Sequence, residues 1–242
     1  MFPIKDNIPN DRFPFVTVAL IVANVVVYLL AVRHGGSIWS GPDTQEVVKY
    51  GAIPYSITHS GPSAHGPNIT TIPVWQTIVT SMFMHGSLLH LAGNMLFLWI
   101  FGNTLEDSMG SPKFICFYLV GAVATLALQV AVEPNSAAPI IGAGGAIAAV
   151  MGGYTVLYRT ARVLTFVVMI FFVTVIEVPA LVMVALWFVV QALFAAADLI
   201  TPAGGSELIA YFAQLGGFAF GAATIKLLAR NIKRVPPRIP VY

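Results

Sequence analysis

The sequence predicts an all-α integral membrane protein, a bundle of six spanning helices. Three observations predict it. Of 242 residues, 57% are hydrophobic and only 9% charged, against about 25% charged in an ordinary soluble domain. Apolar segments near the ~20 residues that cross a bilayer recur along the whole chain. The basic residues between those segments collect on one side of the implied membrane. Mean hydropathy of +0.83 agrees. With no internal repeat and no low-complexity segment, the length fits one domain. Its expected bounds are residues 13–229, between tails at 1–12 and 230–242.

The first span is expected at Phe13 to Val32. It is too long for the apolar core of a signal peptide, and no small-residue cleavage site follows it. Arg33 to Pro73 is rich in Gly, Pro, Ser and His and reads as a long polar excursion, with a weak hint of an amphipathic piece in the interface. The second helix is placed at Val74 to Phe101. Gly102 to Lys113, with Glu106 and Asp107, reads as a polar turn. A third helix covers Phe114 to Val132, and a fourth, Gly- and Ala-rich, covers Gly142 to Tyr158. Val163 to Val178 is apolar and β-branched. Interfacial or re-entrant backbone packed on protein is the expectation there. The fifth helix is expected at Pro179 to Ala197, a loop at Asp198 to Gly205 and the sixth helix at Glu207 to Ala229.

Six spans put both termini on one side. Lys5, Arg12, Lys113, Arg159, Arg162, Lys226, Arg230, Lys233, Arg234 and Arg238 fall there, and only Arg33 and Lys49 fall opposite. Basic residues favour the cytoplasmic side, so both termini are expected to be cytoplasmic, as in a bacterial plasma membrane. The polar excursion at 33–73 is then extracytoplasmic.

Composition also excludes function classes. The lone cysteine, Cys116, forms no intrachain disulfide and reads as a buried apolar residue. No Cys/His cluster suggests a metal, and no cofactor is expected. A net charge of +2 does not point to nucleic acid. A transporter or channel is a third reading, but the chain shows neither an inverted repeat nor a run of intramembrane carboxylates.

Polar groups inside a membrane are costly and mark function. His85, His90 and Asn94 fall in the second helix. His90 and Asn94 are one turn apart on one face, and both can donate hydrogen bonds into a cavity. Tying that helix to its neighbours is the alternative role. The fourth helix opens Gly142-Ala143-Gly144-Gly145-Ala146-Ile147. In the sixth, Gly217 and Gly221 form a G-x-x-x-G face that admits close backbone approach, with the Gly145 region as the natural partner.

These segments, with Met95 to Asp107 and Glu177-Val178-Pro179-Ala180, resemble the rhomboid intramembrane serine proteases over about residues 13–229. The resemblance implies a six-helix rhomboid-like bundle with a water-filled cavity open to the extracytoplasmic side. In active members a serine at the start of the fourth helix attacks a peptide bond of a transmembrane substrate. A histidine of the sixth helix is its general base, and the histidine and asparagine of the second stabilise the oxyanion.

The chain departs from that pattern at both reacting positions. The motif G-x-S-G reads Gly142-Ala143-Gly144-Gly145, so Gly144 stands where the nucleophile is expected. Gln214 stands where the base is expected. Glycine has no nucleophilic atom, and a neutral amide takes no proton near pH 7. No Ser, Thr or Cys lies between Ala137 and Tyr154. The expectation is a pseudoprotease whose cavity groups His90, Asn94, His85 and Gln214 bind transmembrane helices of other membrane proteins without cutting them. An active serine-type endopeptidase is the alternative.

Overall fold

The computed structural model describes residues 2–59, 72–169, 172–200 and 207–237. Strand β1 (Phe2–Asp6) precedes helix α1 (Phe15–His34). A small ribbon, β2 (Gly36–Ser37) and β3 (Gly41–Pro42), leads to short helices α2 (Thr44–Tyr50) and α3 (Pro54–Thr58). Helix α4 (Val74–Thr80) is followed by α5 (Leu88–Met109), which contains a π-helical turn at Leu98–Gly102. Then come α6 (Ser111–Val132), α7 (Gly144–Leu157), strands β4 (Arg162–Met169) and β5 (Phe172–Pro179), α8 (Ala180–Ile200) and α9 (Glu207–Leu228).

The six-helix bundle is therefore α1, α5, α6, α7, α8 and α9. The first three are apolar over lengths that cross a membrane. Gly144–Leu157, Ala180–Leu193 and Ala213–Leu228 supply shorter apolar lengths. Helix α7 is the central post, buried from Ala146 to Thr155. Its closest partner is α9. A Cβ at Gly221 would overlap the carbonyl oxygen of Ala149, and one at Gly152 would overlap that of Phe218. Gly217 is also close, its Cβ position lying 2.8 Å from the Gly145 oxygen. Small residues bring the two backbones into contact, and dispersion then replaces a hydrophobic drive that lipid does not supply.

Four expectations are corrected. The second helix is not continuous from Val74. Residues 81–87 are irregular, and α5 starts only at Leu88, where the Ser87 hydroxyl oxygen accepts from the His90 N–H at 3.1 Å. His85 therefore lies ahead of the helix rather than on it. Second, Gly102 to Lys113 is no polar turn. The helix runs on to Met109, and the break is confined to Gly110, whose φ of +86° suits glycine. Polarity misled here because both carboxylates are buried and bonded to other parts of the chain. Glu106 accepts from the backbone N–H of Val16 (3.0 Å) and Thr17 (2.8 Å), from the Thr17 hydroxyl (2.8 Å) and from Ser111 (2.6 Å). It caps the first turn of α1 from another helix.

Third, Cys116 is exposed on α6 rather than buried, because it faces the lipid side of that helix. Fourth, the terminal segments are not simple tails. Strand β1 pairs antiparallel with β4, and Asp6 is buried. Lys233 pairs with Asp11 at 3.1 Å and with Asp107. The Arg230 and Asn231 N–H groups both donate to the Ser108 carbonyl at 2.9 Å.

The segment left between interfacial and re-entrant backbone is a hairpin. β4 and β5 pair antiparallel from Arg162↔Pro179 to Met169↔Phe172, in a sheet ordered β1-β4-β5. Its Val, Ile, Phe and Thr content suits strands. The expected loop at Asp198 to Gly205 lies outside the described residues from 201 onward. Up to Ile200 the chain is still helical.

Candidate functional site

The irregular stretch before α5 makes one wall of the site. His85 is fully buried. Its Nε2 lies 3.1 Å from Asn94 Nδ2, and its Nδ1 lies 3.2 Å from the Phe83 carbonyl oxygen. An amide nitrogen only donates, so Nε2 accepts and Nδ1 carries the proton to Phe83. His85 thereby fixes the rotamer of Asn94, itself buried. His90 stands edge-on to His85, with ring centroids 5.1 Å apart. Its ring makes no hydrogen bond among the described residues.

The approach to α7 packs against this wall. Ile140 pairs with Ala52 through two backbone bonds of 2.8 and 3.0 Å, and the Gly142 N–H donates to the Ser81 carbonyl at 2.8 Å. These bonds pin Gly142, at φ +113°, against the irregular stretch before α5. A Cβ there would stand 2.9 Å from His90 Cε1 and 3.9 Å from Asn94 Nδ2. The glycine at 142 thus leaves room for the imidazole and the amide.

Two residues further, Gly144 looks across at α9. A Cβ at this position would lie 3.0 Å from Gln214 Nε2 and 3.5 Å from its Cδ. Gln214 Nε2 in turn donates to Gln191 Oε1 of α8 over 3.5 Å, at the limit of a hydrogen bond. Gln214 Oε1 is buried and has no partner among the described residues. A buried acceptor left without a donor costs about 1–3 kcal/mol.

The structure therefore brings together His85, His90, Asn94 and Gly142 on one side, and Gly144 with Gln214 on the other. The packing residues sit just below. A Cβ at Gly145 would collide with Thr125, whose hydroxyl oxygen lies 2.9 Å from it. The sequence reading missed Gln191, although a signal was present: it is the lone amide in the apolar run from Ala180 to Ala197. It also missed the carbonyl of Phe83, which no side-chain pattern encodes. Among the described residues no group of three or more His, Cys, Asp or Glu side chains gathers to hold a metal. The available chemistry is hydrogen bonding by imidazole and carboxamide groups.

Comparison with known proteins gives the family. The model of the Rhomboid domain matches residues 73–231, about two thirds of the chain. The chain is 34% identical to the Saccharomyces cerevisiae mitochondrial Rhomboid protein 1 over 95 residues, 38% of this chain and 28% of that protein. It is 27% identical to Rhomboid protease GluP of Bacillus subtilis over 139 residues, 57% of this chain and 24% of that one. It is 36% identical to the Bos taurus mitochondrial presenilin-associated rhomboid-like protein over 76 residues, 31% of this chain and 20% of that one. The matches thus span well under half of each of these relatives. The fold, the matched domain and the motif segments agree: this chain is an integral, multi-pass membrane protein and belongs to the rhomboid family.

Proposed function

We propose that this protein is a rhomboid pseudoprotease, which receives transmembrane segments of other membrane proteins in its cavity and does not cleave them. One observation carries the reading. A side chain at position 144 would point at residue 214, in contact distance, and these two facing positions hold glycine and glutamine. Neither supplies a nucleophile or a base. In enzymes of this logic, loss of one member of the catalytic unit already removes orders of magnitude of rate.

What remains is a set of polar groups. His90, Asn94 and Gln214 carry donors and acceptors, which suits the polar backbone of a partner segment. The orientation we infer places both termini in the cytoplasm, on the strength of ten of twelve basic residues falling on that side. A bacterial plasma membrane is the setting this implies.

A fluorophosphonate probe on the protein in native membranes tests the reading. No labelling is expected, together with capture of membrane partners by a photo-crosslinker near Gly144. Labelling of any residue, or cleavage of a model transmembrane substrate, would sink it in favour of a serine-type endopeptidase.

A further inference from the structure

Helices α6 and α9 run antiparallel along a shared seam. The Phe117 and Phe220 rings lie 6.1 Å apart, and Leu128 packs over Gly216. Each helix exposes a stripe one position ahead of its seam residues. On α6 the stripe is Cys116 and Val120, beside Phe117 and Gly121; on α9 it is Leu215 and Ala219, beside Gly216 and Phe220, and Ala223 continues it. One residue is about 100° of helical turn. In right-handed helices of opposite direction, one step back from the seam turns both stripes to the same side of the pair. The two helices therefore flank an apolar groove that faces lipid.

Three cations stand where this groove ends, on the side of both termini. Lys113 Nζ donates to the Leu228 carbonyl at the C-terminus of α9, over 3.3 Å. That bond leaves it two further N–H donors. Lys226 lies in the last turn of α9, and Arg230 follows two residues after its end; both are exposed. The Arg230 N–H is bonded to the Ser108 carbonyl at 2.9 Å, which holds its backbone beside the turn into α6. The nearest carboxylates along the chain are engaged elsewhere. Glu106 accepts from Val16, Thr17 and Ser111, and Asp107 from the Asp11 N–H and Lys233. Among the described residues, none of the three cations enters an ion pair. Past Lys233 the chain turns toward the sheet, where Pro236 and Pro237 stand beside Leu164 and Glu177.

We propose that Lys113, Lys226 and Arg230 hold the phosphate of an anionic phospholipid, whose acyl chain lies in the groove between α6 and α9. Charge complementarity selects the headgroup, since ammonium and guanidinium groups make charge-assisted hydrogen bonds to phosphate oxygens. The groove selects a lipid over a free phosphate, because its apolar stripes lead from the cations along both helices toward the bilayer centre. Basic residues at membrane-helix ends ordinarily act singly on the leaflet. Here the bond from Lys113 to Leu228 joins the two helix ends that carry them. Gln214 precedes Lys226 by about 18 Å of helix, so this is a separate site from the cavity. The proposal does not depend on whether the protein cleaves anything.

The test is native mass spectrometry of the full chain, released from nanodiscs made of equal parts phosphatidylglycerol and phosphatidylcholine with matched acyl chains. Phosphatidylglycerol stays bound and phosphatidylcholine does not. Lys113→Gln, Lys226→Gln and Arg230→Gln each lower the retained phosphatidylglycerol by about fivefold, and Lys113→Arg keeps it. Arg230→Gln preserves the backbone bond to Ser108, so it reads the site even if Lys113→Gln disturbs the end of α9. Arg12→Gln, a basic residue on the same side but outside the groove, leaves retention unchanged. Equal retention of the two lipids overturns the proposal. So does an equal loss in Arg12→Gln and Arg230→Gln, which would mean diffuse attraction to the leaflet. Displacement of the lipid by millimolar inorganic phosphate also overturns it, because the groove would then add nothing to the phosphate.

Discussion

Gly144 and Gln214 face one another across the α7–α9 interface, so that a single carbon added to Gly144 would stand 3.0 Å from the Gln214 amide nitrogen. A serine and a histidine at these positions would be neighbours without rearrangement of the helices. The double variant Gly144→Ser with Gln214→His is therefore expected to acquire fluorophosphonate labelling, while Gly144→Ser alone stays unlabelled for lack of a base. Equal labelling of the single and double variants would show that position 214 does not act on position 144.

His85 acts through Asn94. Replacing it by leucine leaves the Asn94 Nδ2 group and the Phe83 carbonyl without their partner, at a cost of about 1–3 kcal/mol. Thermal unfolding of the purified protein should show the loss. Partner crosslinking should fall with it, because Asn94 is no longer held. An unchanged midpoint would mean that water replaces the imidazole.

The glycines divide into two kinds. Gly221→Ala forces a methyl group into the Ala149 carbonyl, and should destabilise by about 1–3 kcal/mol or abolish folding. Gly93 has nothing within 4 Å of its Cβ position. Gly93→Ala should be neutral or stabilise by up to about 1 kcal/mol, from helix propensity. Comparison of the two unfolding midpoints checks both.

Acid should stabilise this protein through Asp6. Its carboxyl is raised by burial from 3.8 to about 6, so between those values the folded state holds more protons than the unfolded chain. The contribution is fully present below the unfolded value and lost as pH rises through about 6, amounting to roughly 3 kcal/mol. Asp6→Asn should flatten that part of the stability–pH curve. An identical curve in the variant would exclude Asp6 as its source.

Glu106 should tolerate substitution poorly, because it caps α1 from α5 and also holds Ser111. Glu106→Ala is expected to cost about 3 kcal/mol or more, since a buried charged acceptor with several donors is removed and those donors are left unpaired. Unfolding in mixed micelles measures it.

Much of the bundle was legible before the structure, for a physical reason. Lipid demands apolar length and internally satisfied backbone, and both are properties of a contiguous stretch of sequence. The ends of α6 and α9 were within a residue or two of their expected places except at Ser111. Polarity was the poor guide. Glu106 and Asp107 look like a solvent-facing turn, yet they are buried, because their donors come from α1, Ser111 and Lys233. The hairpin at Arg162–Pro179 was ambiguous because an apolar β-branched run favours strands but does not name its partner, here Phe2–Asp6.

By itself the sequence determined that this is a rhomboid-family membrane bundle, and that positions 144 and 214 hold glycine and glutamine. Composition, spacing and residue identity are written along the chain and need no folding to be read. Only the tertiary structure decided that a side chain at 144 would meet residue 214, that His85 aims Asn94 while His90 stays open, that Gln191 joins the site, and that Asp6 is buried on the hydroxyls of Thr104 and Tyr154. Each of these is a contact between residues far apart in the chain, and its distance is set by how the helices and the sheet pack, which no local pattern encodes.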